Sequence, residues 1–317
     1  MSMLADEQQL LFPPEAMLAL RLDWSMFTPS GFELLGRTSF LKGGVAFADA
    51  VTAASHEYLR QLQDPAWDPG VGQVLKERSS DVKVTGAGID TRRWDPSTDP
   101  DVEARYDAKD PAPKRASKEA LLRRLELQGG ADAPLVLVAG RAGWLQGTDL
   151  LERSADRLAG TPVRFLLALD ADERWQRVLN RLVEGRRDRF VLVRAGAVPP
   201  GLLLAASDCL LLPARQAGWC PWLLRGLRYG CVPVASDTGF AGENVGDYAE
   251  GEGTGFTFEP GSADSMVGAL ERMASLFGQR AKWLELVGNV MSLDLSWNRP
   301  ARLLLKLYEQ VAGLRQQ

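Results

Sequence analysis

The sequence predicts an α/β fold with a parallel sheet, and three observations carry that prediction. From Ala133 onward, short apolar runs alternate with helical patterns. The runs are continuous rather than alternating, as in strands covered on both faces. A strand–helix unit takes roughly 30 residues, so residues 1–80 allow two such units at most, and one complete doubly wound domain follows a region too short to be a second. The residues are 45% hydrophobic and 25% charged, as in an ordinary globular protein.

The strands of the complete domain are expected in order. Pro134-Leu-Val-Leu-Val-Ala-Gly140 opens the sheet and is followed by a helical pattern from Thr148 to Leu158. Further strands are expected at Val163 to Leu169, Phe190 to Val193, Cys209 to Leu212, Val232 to Ala235 and Gly255 to Phe258. Pro221 and Gly230 frame a helix with an apolar stripe of Leu223, Leu224 and Leu227. Three helices near 262–277, 279–289 and 298–313 close the chain. In the first region a helix is expected over Phe32 to Phe47, a strand over Ala50 to Ala54 and a helix over His56 to Gln63, with residues 64–72 a loop by their proline and glycine content. The stretch Trp94 to Ala116 is dense in Asp and Pro and reads as irregular, with a helix over Ser117 to Leu127 after it.

Several function classes are excluded or disfavoured. A net charge of -4 gives no footprint for nucleic acid or an anionic membrane, and no apolar run is long enough to span a bilayer. Asp6 and Glu7 interrupt any secretory pattern at the start, so a cytoplasmic location is the expectation. Cys209, Cys220 and Cys231, eleven apart, match neither a zinc ribbon nor a redox pair and read as buried hydrophobes. His56 is the single histidine, which excludes a metal site built on two or three imidazoles. No metal and no cofactor is expected.

A set of colinear segments resembles the bacterial glycogen and starch synthases. They are Phe27 to Glu33, Ser39 to Asp49, Thr52 to Tyr58, Gly88 to Pro96, Ala104 to Tyr106, Ser117 to Leu121, Ala205 to Asp208, Leu211 to Arg215, Leu227 to Gly230, Gly253 to Phe256 and Ser296-Trp297. The resemblance implies a GT-B-like fold, whose two Rossmann-like domains bind ADP-glucose or UDP-glucose between them and transfer glucose to an α-1,4-glucan with retention. Residues 1–85 are then expected to be a truncated remnant of the N-terminal domain, 86–297 the complete Rossmann-like domain, and 298–317 a helix packing back on the N-terminal part.

Carried over by position, the resemblance weakens at the chemistry. The family's Arg-Leu-Thr-x-Gln-Lys-Gly reads Arg141 to Gly147, with Gln146 at the lysine, and a glutamine supplies no charge to a leaving diphosphate. The family's Pro-Ser-Arg-Phe-Glu-Pro-Cys-Gly-Leu-Thr-Gln-Leu-Tyr-Ala-Leu-Arg-Tyr-Gly reads Pro213 to Gly230, with Ala217 at the glutamate that contacts the glucose. Pro221 offers no N–H where the family presents amides. Ala87 replaces an asparagine, and Leu169-Asp-Ala-Asp172 replaces a glycine-rich turn. The Lys-Thr-Gly-Gly loop of the family's first domain has no counterpart.

No catalytic residue is therefore assigned. Nucleotide-sugar-binding candidates are Arg141, Gly147, Arg215, Thr238, Gly239 and Glu243, each weighed against a structural role: Arg141 as a surface cation, Arg215 in an ion pair, Glu243 as an acid stabilising the first turn of a helix. Trp144, Trp219 and Trp222 are candidates for stacking on sugar, or else fill space vacated by a nucleotide. The sequence thus suggests a synthase homologue without independent glucosyl transfer, acting by binding a glucan or another protein, with a nucleotide sugar or α-glucan and a protein supplying or contacting the N-terminal half as the partners to expect. The alternative is an active retaining transferase whose N-terminal half comes from another chain or an upstream reading frame.

Overall fold

The computed structural model describes residues 1–3, 11–64, 70–127, 131–194, 196–216 and 218–314. It divides into two compact units, Met1–Ala87 with Trp297–Gln317, and Gly88–Ser296.

The first unit holds two small sheets. Strands β1 (Ser2–Met3), β5 (Val51–Ala53) and β6 (Val82–Val84) form a parallel sheet in the order β1-β5-β6, and β2 (Leu11–Phe12), β3 (Glu33–Leu34) and β4 (Arg37–Ser39) an antiparallel one in the order β2-β4-β3. Val45, Val51, Tyr58, Leu62, Val71, Leu75 and Val82 pack as its core. The helix expected over Phe32 to Phe47 is corrected: it occupies only Phe40–Phe47, and the residues before it form the β3–β4 hairpin. Leu35 and Gly36 both take positive φ (53° and 73°), a tight-turn geometry that a helix cannot contain, and the Ser39 hydroxyl accepts from the Lys42 amide to start the helix. The loop expected at 64–72 is also shorter at its end, since the helix Val71–Glu77 begins within it; residues 65–69 lie outside the described residues.

The second unit carries β7 (Leu135–Arg141), β8 (Arg164–Asp170), β9 (Phe190–Leu192), β10 (Cys209–Leu212), β11 (Val232–Ser236) and β12 (Phe256–Phe258) in one parallel six-stranded sheet, ordered β12-β11-β10-β7-β8-β9. Leu135 to Val138 and Cys209 to Leu212 are buried throughout, as strands sandwiched between helices must be. The chain runs outward from β7 through β8 to β9 and then returns to the other side of β7 as β10, so the strand order reverses between β7 and β10. In such sheets the carboxyl ends at that reversal form the ligand crevice. The helical pattern over Thr148 to Leu158 is broken at Ser154 into Thr148–Arg153 and Ala155–Ala159.

The opposite, amino end of the sheet is tied together by segments that carry the family resemblance. Lys118 donates from Nζ to the Ala133 carbonyl and to Asp208 (both 2.6 Å), and the same Asp208 oxygen accepts from the Leu135 amide at 2.8 Å. Lys114 is buried and donates to the carbonyls of Leu204 and Tyr229, while the Tyr106 hydroxyl donates to the Tyr229 carbonyl at 2.9 Å. Burial lowers the proton affinity of the Lys114 ammonium and raises the pKa of the Cys209 and Cys231 thiols, which stay protonated and behave as the small hydrophobes expected. A cavity of about 240 Å³ bounded by Lys114, Lys118, Asp208 and Trp283 adjoins this network. No described helix is long and apolar enough to cross a membrane.

Candidate functional site

The site is built where β7 and β10 end. β7 delivers Arg141, which is exposed, and the chain then loops over the end of β10 before the helix Thr148–Arg153. That passage requires glycine at position 147. Gly147 has φ +75°, and a Cβ there would lie 2.0 Å from the Pro213 carbonyl oxygen. Gly147 thus holds the two loops in contact through its own backbone.

Arg215 fastens the same two loops. Its amide donates to the Leu145 carbonyl at 2.8 Å, and its guanidinium makes a paired contact with Asp149, Nη1 to Oδ1 at 2.7 Å and Nη2 to Oδ2 at 2.8 Å. Nη1 also donates to the Trp144 carbonyl at 2.6 Å, and the Trp144 ring lies 4.6 Å from the guanidinium carbon. Arg215 is 8% exposed, so this charge is matched by a carboxylate inside the protein and covered by an indole. Asp149 is the functional neighbour that sequence reasoning missed; the signal was present, because it opens a helix directly after the Gly147 turn.

The remaining candidates sit around this clamp. Gln146 folds back over its own loop, its Oε1 2.1 Å from where a Cβ on Gly143 would stand. Trp144 is 52% exposed, whereas Trp219 and Trp222 are half-buried. Trp222 packs against the backbone of Gly140 (φ +118°) at the end of β7, its Cδ1 3.4 Å from a Cβ built there. Thr238 is buried, its hydroxyl 3.4 Å from the Arg215 carbonyl, and precedes the helix Gly239–Asn244, in which Gly239 takes φ +55°. Glu243 is exposed and lies in the last turn of that six-residue helix, a correction to its expected place in the first turn, where it would have complemented the helix dipole. Ala217 lies outside the described residues. Arg215, Trp144, Gly147 and Thr238 are therefore brought together by direct contact, and Trp222 meets the strand that carries Arg141.

A cavity of about 460 Å³ opens at the carboxyl ends of β8 and β9, lined by Leu169, Asp170, Ala171, Gln176, Leu192, Val193 and Arg194. One wall is the turn that lacks the family's glycines. Asp172 caps the helix Glu173–Val183 by accepting from the Trp175 amide at 2.9 Å, and the Asp170 carbonyl accepts from Ala142 at 2.7 Å, linking this wall to the Arg141 loop. Among the described residues no cluster of His, Cys, Asp and Glu could hold a metal ion.

Residues 6–77 match the family model described as the starch synthase catalytic domain. Glycogen synthase 2 of Bradyrhizobium diazoefficiens is 32% identical over 303 residues, covering 95% of this chain and 63% of that protein. Glycogen synthase of Koribacter versatilis is 31% identical, covering 96% and 63%. The chain thus spans about 63% of the length of these curated relatives. The catalytic domain of starch synthase IV from Arabidopsis thaliana, solved bound to ADP and acarbose, superposes over 97% of this chain and 65% of its own, with a TM-score of 0.88 and 26% identity. Fold and relatives point the same way: the chain is similar to the glycogen and starch synthases over nearly its whole length.

Proposed function

We propose that this chain is a glycogen-synthase-like glycosyltransferase homologue that binds a nucleotide or nucleotide sugar at the carboxyl ends of β7 to β9 and does not by itself transfer glucose. One observation carries the reading: Arg215 is closed on Asp149, and the neighbouring lysine position holds Gln146. Departure of a nucleoside diphosphate develops negative charge, which preorganised cations at that point must stabilise. A guanidinium already paired in a buried site gives little of that, and an amide supplies no charge. Binding is supported by the open cavity beside the Leu169 to Asp172 turn and by the ADP named for the starch synthase IV structure.

Calorimetric titration tests the binding half. ADP or UDP is expected to give saturable heat that weakens on Arg141→Ala. Saturation by maltooligosaccharides alone would move the site from nucleotide to glucan, and no heat with any of them would remove the reading.

A second reading is an active retaining transferase completed by further polypeptide. The relatives' names favour it, and so does the apolar surface of the first unit, where Leu18, Leu20, Trp24, Leu35, Phe47, Leu305 and Tyr308 are exposed. The two readings part on incorporation of glucose into glycogen.

A further inference from the structure

Two guanidinium groups share one indole in the second unit. The Cζ of Arg225, on the helix Pro221–Arg228, lies 4.2 Å from the Trp94 ring centroid, and the Cζ of Arg93 lies 5.7 Å from it. Both distances fall within the range of cation–π attraction. Neither guanidinium forms an ion pair with a carboxylate among the described residues. Arg225 is half-buried, and its Nε is buried with no hydrogen-bond partner there. A buried donor left unmatched costs about 1–3 kcal/mol, and two like charges near one ring add to that cost. Burial first, and then the charge of Arg93, lower the proton affinity of the Arg225 guanidinium.

The carboxylates in this region are committed elsewhere. Asp90 accepts from the amides of Arg92 and Arg93, at 3.0 and 3.2 Å. These bonds first, then the charges of both arginines, hold its carboxyl below the usual carboxylate range, although no ion pair closes between it and the Arg93 guanidinium. Asp95 accepts from the amide and hydroxyl of Ser97 and from Arg228. Asp99 accepts from the Tyr229 hydroxyl and the Asp101 amide. The indole is itself held in place, with the Tyr229 ring edge-on at 6.4 Å.

We propose that Arg93 and Arg225, gathered on Trp94 and in ion-pair contact with no carboxylate among the described residues, form an anion site for a phosphate group. A tetrahedral phosphate oxygen set accepts from two guanidinium groups at once. The site is separate from Arg141 and does not rest on whether the chain transfers glucose. The phosphate can arrive free, on a sugar or on a nucleotide, and the chemistry of capture is common to all three.

The test is titration of the full chain with orthophosphate, glucose 1-phosphate and ADP, followed by calorimetry and by Trp fluorescence. Arg225→Gln and Arg93→Gln are each expected to weaken orthophosphate binding by about tenfold or more, as loss of a charge-assisted bond does. Glucose 1-phosphate binding tighter than orthophosphate would place the phosphate on a sugar, and ADP displacing orthophosphate would place it on a nucleotide. Thermal melting reports whether Arg225→Gln folds, and because Arg93 is exposed, Arg93→Gln decides if it does not. Absence of saturable binding of all three probes to the unaltered chain, or binding by Arg93→Gln within twofold of it, overturns the proposal.

Discussion

Gly147→Ala gives the sharpest test of how the switch-point loops are held together. Two costs apply to it and can be separated. The first is conformational: at φ +75° an alanine occupies the left-handed region, which costs about 1–2 kcal/mol. The second is steric. The new methyl would stand 2.0 Å from the Pro213 carbonyl oxygen and 2.7 Å from its carbon, both backbone atoms, so one loop must move away from the other. Overpacking of this kind costs a further 1–3 kcal/mol or so, giving a total of about 2–5 kcal/mol. Gly185 supplies the control, because it has nearly the same φ of +72° but nothing within 4 Å of a built Cβ. Gly185→Ala is therefore expected to lose only the conformational part. Urea unfolding followed by circular dichroism reads both losses from the midpoint and slope. Equal losses in the two variants, within about 0.5 kcal/mol, would refute the claim that the loop is pressed on the end of β10.

Further predictions concern charge and pH. Asp149→Ala should cost about 3–5 kcal/mol by removing the carboxylate that matches the buried Arg215 charge, whereas Arg215→Met with Asp149→Leu should cost much less; denaturant unfolding measures both. Lys118→Met should destabilise by a similar few kcal/mol, since it strands Asp208 among buried strand ends. The Tyr106 and Tyr229 phenols are pushed up from 10.0, foremost by burial. Their contribution is complete below pH 10 and is lost as pH rises toward their folded values, so stability should fall above about pH 10, and less steeply in Tyr229→Phe. Gln146→Lys should tighten ADP binding several-fold in calorimetry by adding a cation beside the Arg141 loop.

The sheet was legible in the sequence because buried parallel strands are written as unbroken apolar runs, and Leu135 to Val138 and Cys209 to Leu212 are such runs. The hairpin before Phe40 was not. Its strands are two and three residues long, and Leu35-Gly36 gives only a weak turn signal inside an apolar stretch. At the site, position by position comparison located Arg141, Gln146, Arg215 and Thr238. It could not tell which of them faces a ligand, because that depends on a partner distant in sequence: Asp149 lies 66 residues from the Arg215 it engages. Arg225 escaped notice for a related reason. Its charge stands out only once Trp94, from a segment 131 residues earlier, is seen against it. The Lys118–Asp208 link joins two segments that carried the resemblance, so part of what identifies the family in this sequence serves the sheet rather than the chemistry.

Glucose transfer is the most direct measurement of whether the chemistry survives. The purified chain, incubated with isotopically labelled ADP-glucose or UDP-glucose and glycogen, is predicted to leave no label in the washed glucan above the protein-free blank. Incorporation that rises with time and is abolished by Arg141→Ala would contradict the reading of Gln146 and the Arg215–Asp149 pair as the end of independent transfer.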